Sequence, residues 1–189
     1  ITARGGSKRL PRKNLRKIGN QTLLGTTVKA ALNSEIVDRC ILSSDCSEII
    51  EEALDYGCDV PFVRPQELAT DEARSEDVLE HAISNLPVFD WILLLQPTSP
   101  FRTSEDIDLA FRLAKMLNRS SCVGVKQVQS GTDRNTQNLF TGDVFNENAQ
   151  KHDFADEMCE IKFILNGALY LIKASHFLRT KKLVSADTI

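Results

Sequence analysis

At 189 residues the chain has the length of one domain, long enough to bury a core without disulfide or metal staples. Hydrophobic residues at 42% and charged residues at 26% are ordinary for a globular chain, and the lack of an apolar run of about 18 residues excludes a membrane-spanning helix. The net charge of -3 conceals an asymmetry, because residues 1–34 hold eight Lys or Arg and no Asp or Glu while the rest hold fifteen basic and twenty-six acidic residues, +8 against -11. Five scattered cysteines (Cys40, Cys46, Cys58, Cys122, Cys159) with no C-x-x-C pair point to reduced thiols and a cytoplasmic setting rather than to a disulfide framework.

The chain opens on Ile1-Thr2-Ala3 with no signal-peptide pattern and stops at Thr188-Ile189 with no terminating feature, so both ends read as clipped. Residues 1–3 read as the end of a buried strand. Arg4-Gly5-Gly6-Ser7-Lys8-Arg9-Leu10-Pro11-Arg12-Lys13-Asn14 follows as a loop, since Pro11 forbids a helix through its middle. From about Thr22, Leu23, Leu24, Thr27, Val28, Ala31 and Leu32 recur at helical spacing. Residues 39–43 form a short apolar run, a predicted buried strand. Asp45 with Glu48 three residues on predicts a capping box for a helix through Tyr56, which Gly57 closes.

Residues 60–63 read as a third strand, near an edge or a strand start because of Pro61. The loop 64–71 leads to a helix over 75–84, and Trp91-Ile92-Leu93-Leu94-Leu95 is the best candidate for a central strand. The rigid polar loop 96–102 holds two prolines; Thr103 or Ser104 then caps a helix to about Leu117, and 122–128 is a fifth strand. Strand alternating with helix predicts a mostly parallel sheet covered on both faces, a three-layer α/β architecture. Ligands on such sheets bind outside the carboxyl ends of the strands, where the loops 4–14, 64–71 and 96–102 emerge. Residues 130–156 are polar, with a short hairpin expected around Thr141-Gly142-Asp143. Two strands, 160–164 and 168–173, are predicted around an Asn166-Gly167 turn, and a short helix over 175–178 ends the pattern.

The basic glycine loop admits three readings: a phosphate cradle, a solvated charge run or a nucleic-acid patch. Its place in the first strand-to-helix loop and the lack of interleaved aromatic residues favour the cradle, although it matches neither G-x-x-x-x-G-K-[ST] nor G-x-G-x-x-G. His81, His152 and His176 have no metal-ligand spacing, and His81 reads as structural.

Residues 3–14 resemble the nucleotide-binding loop of the CMP-N-acetylneuraminate synthetases, the cytidylyltransferases that activate acidic nine-carbon sugars. Arg64-Pro65-Gln66-Glu67-Leu68-Ala69, Leu95-Gln96-Pro97-Thr98-Ser99-Pro100-Phe101-Arg102 and Asn166-Gly167-Ala168-Leu169-Tyr170 match in the same order, so the resemblance covers nearly the whole chain. It implies a single nucleotidyltransferase-like domain over 1–189 that transfers CMP from CTP to the sugar's anomeric oxygen and releases pyrophosphate. A segment at about 130–165 is implied to extend into a partner subunit of a homodimer, with neither a nucleic-acid polymer nor a membrane as partner.

The resemblance also implies residue roles. Arg4, Ser7 and Lys8 hold the triphosphate, with Gly5 and Gly6 supplying amides; Lys13 reaches the α-phosphate and Asn14 lies beside the nucleotide. Arg64 stands near the cytidine or else pairs with Glu67, and Ser75 stands near the ribose or base or else caps a helix. On the sugar side are Gln96, Thr98, Ser99, Asn166 and Gly167, for which turn-shaping roles are the alternatives. Mg²⁺ is the implied metal, with its ligands unassigned because the family's Asp-x-Asp segment falls beyond Ile189. Ile164-Leu165 stands where the family commonly has Arg-Pro, which leaves room for legionaminic acid or a similar bacterial sugar in place of N-acetylneuraminate. A cytidylyltransferase for another acidic sugar such as 3-deoxy-octulosonate, and a non-catalytic nucleotide-binding module, are the alternatives.

Overall fold

The computed structural model of the chain describes residues 1–8, 10–128, 140–141, 144–145 and 162–189. A two-strand ribbon, β1 (Lys17–Ile18) and β2 (Gln21–Thr22), turns at Gly19 and feeds α1 (Leu23–Leu32). The Thr22 hydroxyl accepts the Gly25 N–H at 2.9 Å to cap α1 and donates to Glu52 Oε1 at 2.8 Å, which ties the start of α1 to α2 (Ser47–Asp55). Then follow α3 (Ser75–Ser84), β3 (Trp91–Leu95), α4 (Ser104–Met116), β4 (Ser121–Val128), the hairpin strands β5 (Phe140–Thr141) and β6 (Val144–Phe145), β7 (Lys162–Lys173) and α5 (Ala174–Thr180). The β5–β6 pairing, Thr141 opposite Val144, is the hairpin expected there. The rest of the extension expected at 130–165 lies largely outside the described residues.

The parallel part of the sheet is made of short contacts. Residue 2 bridges Ser43 and Ile41 bridges Asp59, both in parallel sense, and the Thr2 N–H donates to the Leu95 carbonyl at 3.3 Å. The strand expected over 60–63 is reduced to the bridge at Asp59, because Pro61 has no N–H to continue a ladder and the chain turns back at Arg64, whose N–H donates to the Ser44 carbonyl at 2.8 Å. β3 and β4 both run antiparallel to β7 and so share one direction. The predicted parallel arrangement holds with one reversed strand set into it.

That reversed strand corrects a second expectation. The sequence predicts two strands around an Asn166-Gly167 turn, yet β7 is one twelve-residue strand that passes through both residues. The pairing with β4 shifts between Val123 and Val125, and Gly167 takes φ 72° at the break. The Asn166 side chain replaces the missing ladder bonds: its Nδ2 donates to the Val125 carbonyl at 3.0 Å and its Oδ1 accepts the Ala168 N–H at 2.8 Å. Gly124 lies opposite, where a Cβ would stand 2.6 Å from Asn166 Oδ1.

β3 separates two cores, because alternate side chains of a strand point to opposite faces. Trp91, Leu93 and Leu95 join Leu24, Val28, Ile49, Ala53 and Ile107 of α1, α2 and α4; Ile92 and Leu94 join Leu79, Ile172 and Phe177 of α3, β7 and α5. Helices on both faces make the three layers. On the first face, Asp108 of α4 accepts from Ser34 Oγ at 2.5 Å and from the Glu35 N–H at 3.3 Å, and the Ser34 hydroxyl foremost holds its carboxyl below the usual carboxylate range. Thr103, one of the two expected caps, caps α4 and forms a capping box with Asp106. Cys40, Cys46, Cys58 and Cys122 are free thiols, and Cys159 lies outside the described residues. Among the described residues no helix is long and apolar enough to cross a membrane.

Gly25 shows how closely α1 and α2 approach. A Cβ there would lie 2.3 Å from Cζ of Tyr56. In an open helix Gly→Ala gains about 1 kcal/mol; here overpacking reverses the sign, and Gly25→Ala is expected to cost about 1–3 kcal/mol in urea unfolding. In a Tyr56→Ala background the same substitution should be neutral or stabilising.

Candidate active site

The polar cavity outside the carboxyl ends of residues 1–3 and β3 has a volume of about 290 Å³. Arg4, Gly6, Ser7, Lys13 and Asn14 of the first loop line it, together with Arg64, Ser75, Gln96 and Thr98. A second, more apolar cavity of about 600 Å³ opens beside it, with Thr98 in both walls and Ser99 and Asn166 in the second. Residues more than 90 positions apart in the chain thus line one cavity because strand ends lie side by side. Lys8, Gly5 and Gly167 stand next to these cavities without lining them.

The loop is held from behind by contacts the sequence did not reveal. Asp45, expected to cap α2, instead accepts the Gly5 N–H on Oδ1 at 2.9 Å; Cys46 takes the N-cap position with no side-chain bond. The Gly5 amide, expected to face a phosphate, is therefore engaged by Asp45. Gly5 itself is dictated by packing, since a Cβ would lie 2.8 Å from Cβ of Cys46, whereas a Cβ on Gly6 would meet nothing. Asn14 is buried and donates to the Arg4 carbonyl at 3.0 Å, closing the loop on itself. Lys13 starts a single 3-10 turn after Arg12, whose φ of 56° redirects the chain and whose guanidinium pairs with Glu48 at 2.6 Å. The basic run is thus divided: Arg4 and Lys13 line the cavity and Arg12 faces α2.

Arg64 is buried, with Nε donating to Ser43 Oγ at 3.0 Å and Nη2 to the Ser43 carbonyl. Its bonds go to the neighbouring strand end, so the alternative of a Glu67 pair is not what the structure forms. Burial pushes its guanidinium down to about 10, with Asp45 opposing. Ser75 is the first residue of α3, whose N-cap is Arg74 with no side-chain cap, so its hydroxyl is not spent on capping. Gln96 directly follows β3; its carbonyl accepts the Ser99 N–H at 3.2 Å, and its Oε1 stands 2.9 Å from where a Cβ of Gly167 would be. Ser99 Oγ donates to the Asn166 carbonyl at 3.4 Å. His81 packs edge-on against Phe62 at 5.2 Å, away from the cavity lining.

Asp71 is the residue that sequence reasoning passed over, although it closes the quoted loop 64–71. Its Oδ1 pairs with Arg4 and its Oδ2 with Lys8 at 2.5 Å, while the Thr70 carbonyl accepts a further bond from Arg4. Lys8 foremost, then Arg4, hold its carboxyl below the usual range. A single carboxylate thus bridges two cations at the mouth of the site and leaves a net positive charge there. Among the described residues no group of three or more His, Cys, Asp or Glu side chains is placed to hold a metal ion.

A cationic, glycine-containing cavity outside the strand ends of an α/β sheet is placed where proteins of this class bind their ligands, and its charge suits an anionic one. The profile of the cytidylyltransferase family matches residues 1–163, and the chain belongs to that family. It is 34% identical over its whole length to the CMP-N,N'-diacetyllegionaminic acid synthase of Legionella pneumophila, of which it spans 82%. It is 35% identical over 96% of its length to the N-acylneuraminate cytidylyltransferase of Escherichia coli, of which it spans 43%, less than half. Its fold is similar to that of a solved CMP:2-keto-3-deoxy-manno-octonic acid synthetase complexed with CTP, with a TM-score of 0.70 at 15% identity over 97% of this chain and 76% of that one.

A polyanion bound by Arg4 and Lys8 would have to compete with Asp71, so Asp71→Asn is expected to bind inorganic pyrophosphate several-fold more tightly by isothermal titration calorimetry. Unchanged or weaker binding would remove Asp71 from that competition.

Proposed function

We propose that the chain transfers CMP from CTP to the anomeric hydroxyl of a nonulosonic acid and releases pyrophosphate. The observation that carries this is the convergence of Arg4, Ser7, Lys13, Arg64, Ser75 and Gln96, drawn from three separate loops, on one cavity in a chain of the cytidylyltransferase family. In the transfer the anomeric oxygen attacks the α-phosphorus, a new P–O bond forms, the bond to the β-phosphate oxygen breaks, and the hydroxyl proton is lost. Negative charge grows on the leaving pyrophosphate and on the α-phosphoryl oxygens. Arg4 and Lys8, once they exchange Asp71 for phosphate, are assigned to the pyrophosphate, and Lys13 to the α-phosphoryl group. Gly6 and Ser7 offer an amide and a hydroxyl to the same phosphates, while the Gly5 amide and Asn14 hold the loop in shape. Arg64 and Ser75 are assigned to the nucleoside side.

Gln96, Thr98, Ser99, Asn166 and Gly167 are assigned to the sugar side. Ile164-Leu165 ahead of Asn166, together with the name of the Legionella relative, favours a legionaminic-type sugar over unmodified N-acetylneuraminate. Mg²⁺ fits a reaction on a triphosphate, and no ligand for it is assigned among the described residues. We further place the enzyme in the cytoplasm, as one domain with a homodimer-forming extension at about 130–165.

A pyrophosphate-release assay on the full-length protein with CTP, Mg²⁺ and a panel of N-acetylneuraminate, legionaminic acid and 3-deoxy-octulosonate tests the proposal. Release with a nonulosonic acid is expected; release with 3-deoxy-octulosonate alone would transfer the assignment to that sugar, and none with any acid would leave a nucleotide-binding module. In the same assay Lys13→Ala should lower kcat by about 100-fold or more, as loss of a transition-state donor does, with a much smaller change in CTP affinity. Equal losses would make Lys13 a ground-state phosphate holder.

A further inference from the structure

Arg102 ends the loop that begins at Gln96, and only 6% of it is exposed. Its Nη1 donates to two carbonyls, Ala168 on β7 and Gln96 at the end of β3, the latter at 3.4 Å. Its Nε and Nη2 are buried and meet no hydrogen-bond partner. Burial pushes its guanidinium down to about 10, opposed by Asp106.

Two unpaired buried donors on a cation destabilise a fold, and an aliphatic side chain of similar length would fill the same volume without that cost. Packing therefore does not account for an arginine here. What an aliphatic chain cannot do is join two backbones through one donor. The carbonyls that Arg102 joins lie beside the places where the two halves of the sugar side come closest. Ser99 Oγ meets the Asn166 carbonyl at 3.4 Å, and Gln96 Oε1 stands 2.9 Å from where a Cβ of Gly167 would be. Gln96, Thr98 and Ser99 stand on one backbone and Asn166 and Gly167 on the other. The β3–β7 ladder stops at Leu95 opposite Leu169, so Gln96 and Ala168 lie just beyond its last pair, and the two Arg102 bonds tie the backbones where the ladder has ended.

We propose that Arg102 is a positioning residue for the acceptor sugar, a clamp that fixes the end of β3 against the break in β7 so that Gln96 and Asn166 keep one geometry. This rests on the assignment of those residues to the sugar side. Arg102 does not touch the sugar; it acts through the two carbonyls.

Arg102→Met and Arg102→Lys, made in the full-length protein, test it by two independent readouts. In hydrogen–deuterium exchange, Arg102→Met should speed exchange several-fold in peptides spanning 96–102 and 165–169 and leave 3–14 unchanged. In steady-state kinetics the KM of the acidic sugar should rise about tenfold, the equivalent of one lost hydrogen bond, with the KM of CTP and kcat little altered, and Arg102→Lys should recover part of the loss. Exchange unchanged in both segments, or raised equally in 3–14, overturns the clamp. A uniform loss of both KM values in both variants assigns Arg102 a general structural role instead. If the wild-type protein transfers CMP to no acidic sugar, the proposed function fails, whereas the exchange pattern still decides whether Arg102 clamps the two backbones.

Discussion

β7 pairs with β3 on one side and β4 on the other, and the organisation of the site depends on that double pairing. From Leu169 to Lys173 the register with β3 is regular, which locks the central strand between the two cores. Three residues earlier the same strand breaks pairing with β4, and the break is stable because Asn166 supplies from its side chain the donor and acceptor that the ladder lost. A regular strand would present alternating side chains and no concavity. The interruption instead brings a polar side chain and a positive-φ glycine next to Gln96 at the mouth of β3, and the larger cavity opens there.

Charge is organised on a second principle, that fixed cations near one another need compensation. Arg4 and Lys8 share Asp71, Arg12 has Glu48, and Arg64 spends its donors on Ser43. Each compensator comes from a different element, so the basic start of the chain is spread around the cavity rather than left as a uniform surface patch. Of these compensators, Asp71 is the one proposed to exchange, because its partners Arg4 and Lys8 reach toward the region where phosphates are proposed to lie. The buried contacts of Arg64 and Arg102 are with backbone and hydroxyl groups of neighbouring strand ends, which suits fixed geometry rather than exchange.

Much of the fold was readable in the residues. The spacing of Leu23, Leu24, Thr27, Val28 and Ala31 defines α1, the run 91–95 is β3, and the helix predicted over 75–84 has those bounds. Three of the four quoted segments line one cavity because loops leaving neighbouring parallel strands share one side of the sheet, and the fourth, within the reversed strand β7, lies beside the loop at 96–102. Their roles in chemistry are proposals, whereas their proximity is structure. Asp45 and Asn166-Gly167 were misread for one reason: each is a strong local signal, a helix cap and a hairpin turn, and local signals yield when a distant backbone offers a better partner. Asp45 found the Gly5 amide forty residues away, and Asn166 found the Val125 carbonyl on β4.

Sequence by itself determined what hydrophobic periodicity and residue chemistry dictate: the alternation of strand and helix, the three-layer class, the cationic first loop and the resemblance that led to the family. Only the tertiary structure decided which groups answer one another across the chain. That Asp71 bridges Arg4 and Lys8, that Gly5 is required by Cys46, and that Arg102 reaches the Ala168 carbonyl are relations between residues forty or more positions apart. No local pattern encodes such a distance, since it is the folding of the sheet that brings the partners within hydrogen-bonding reach.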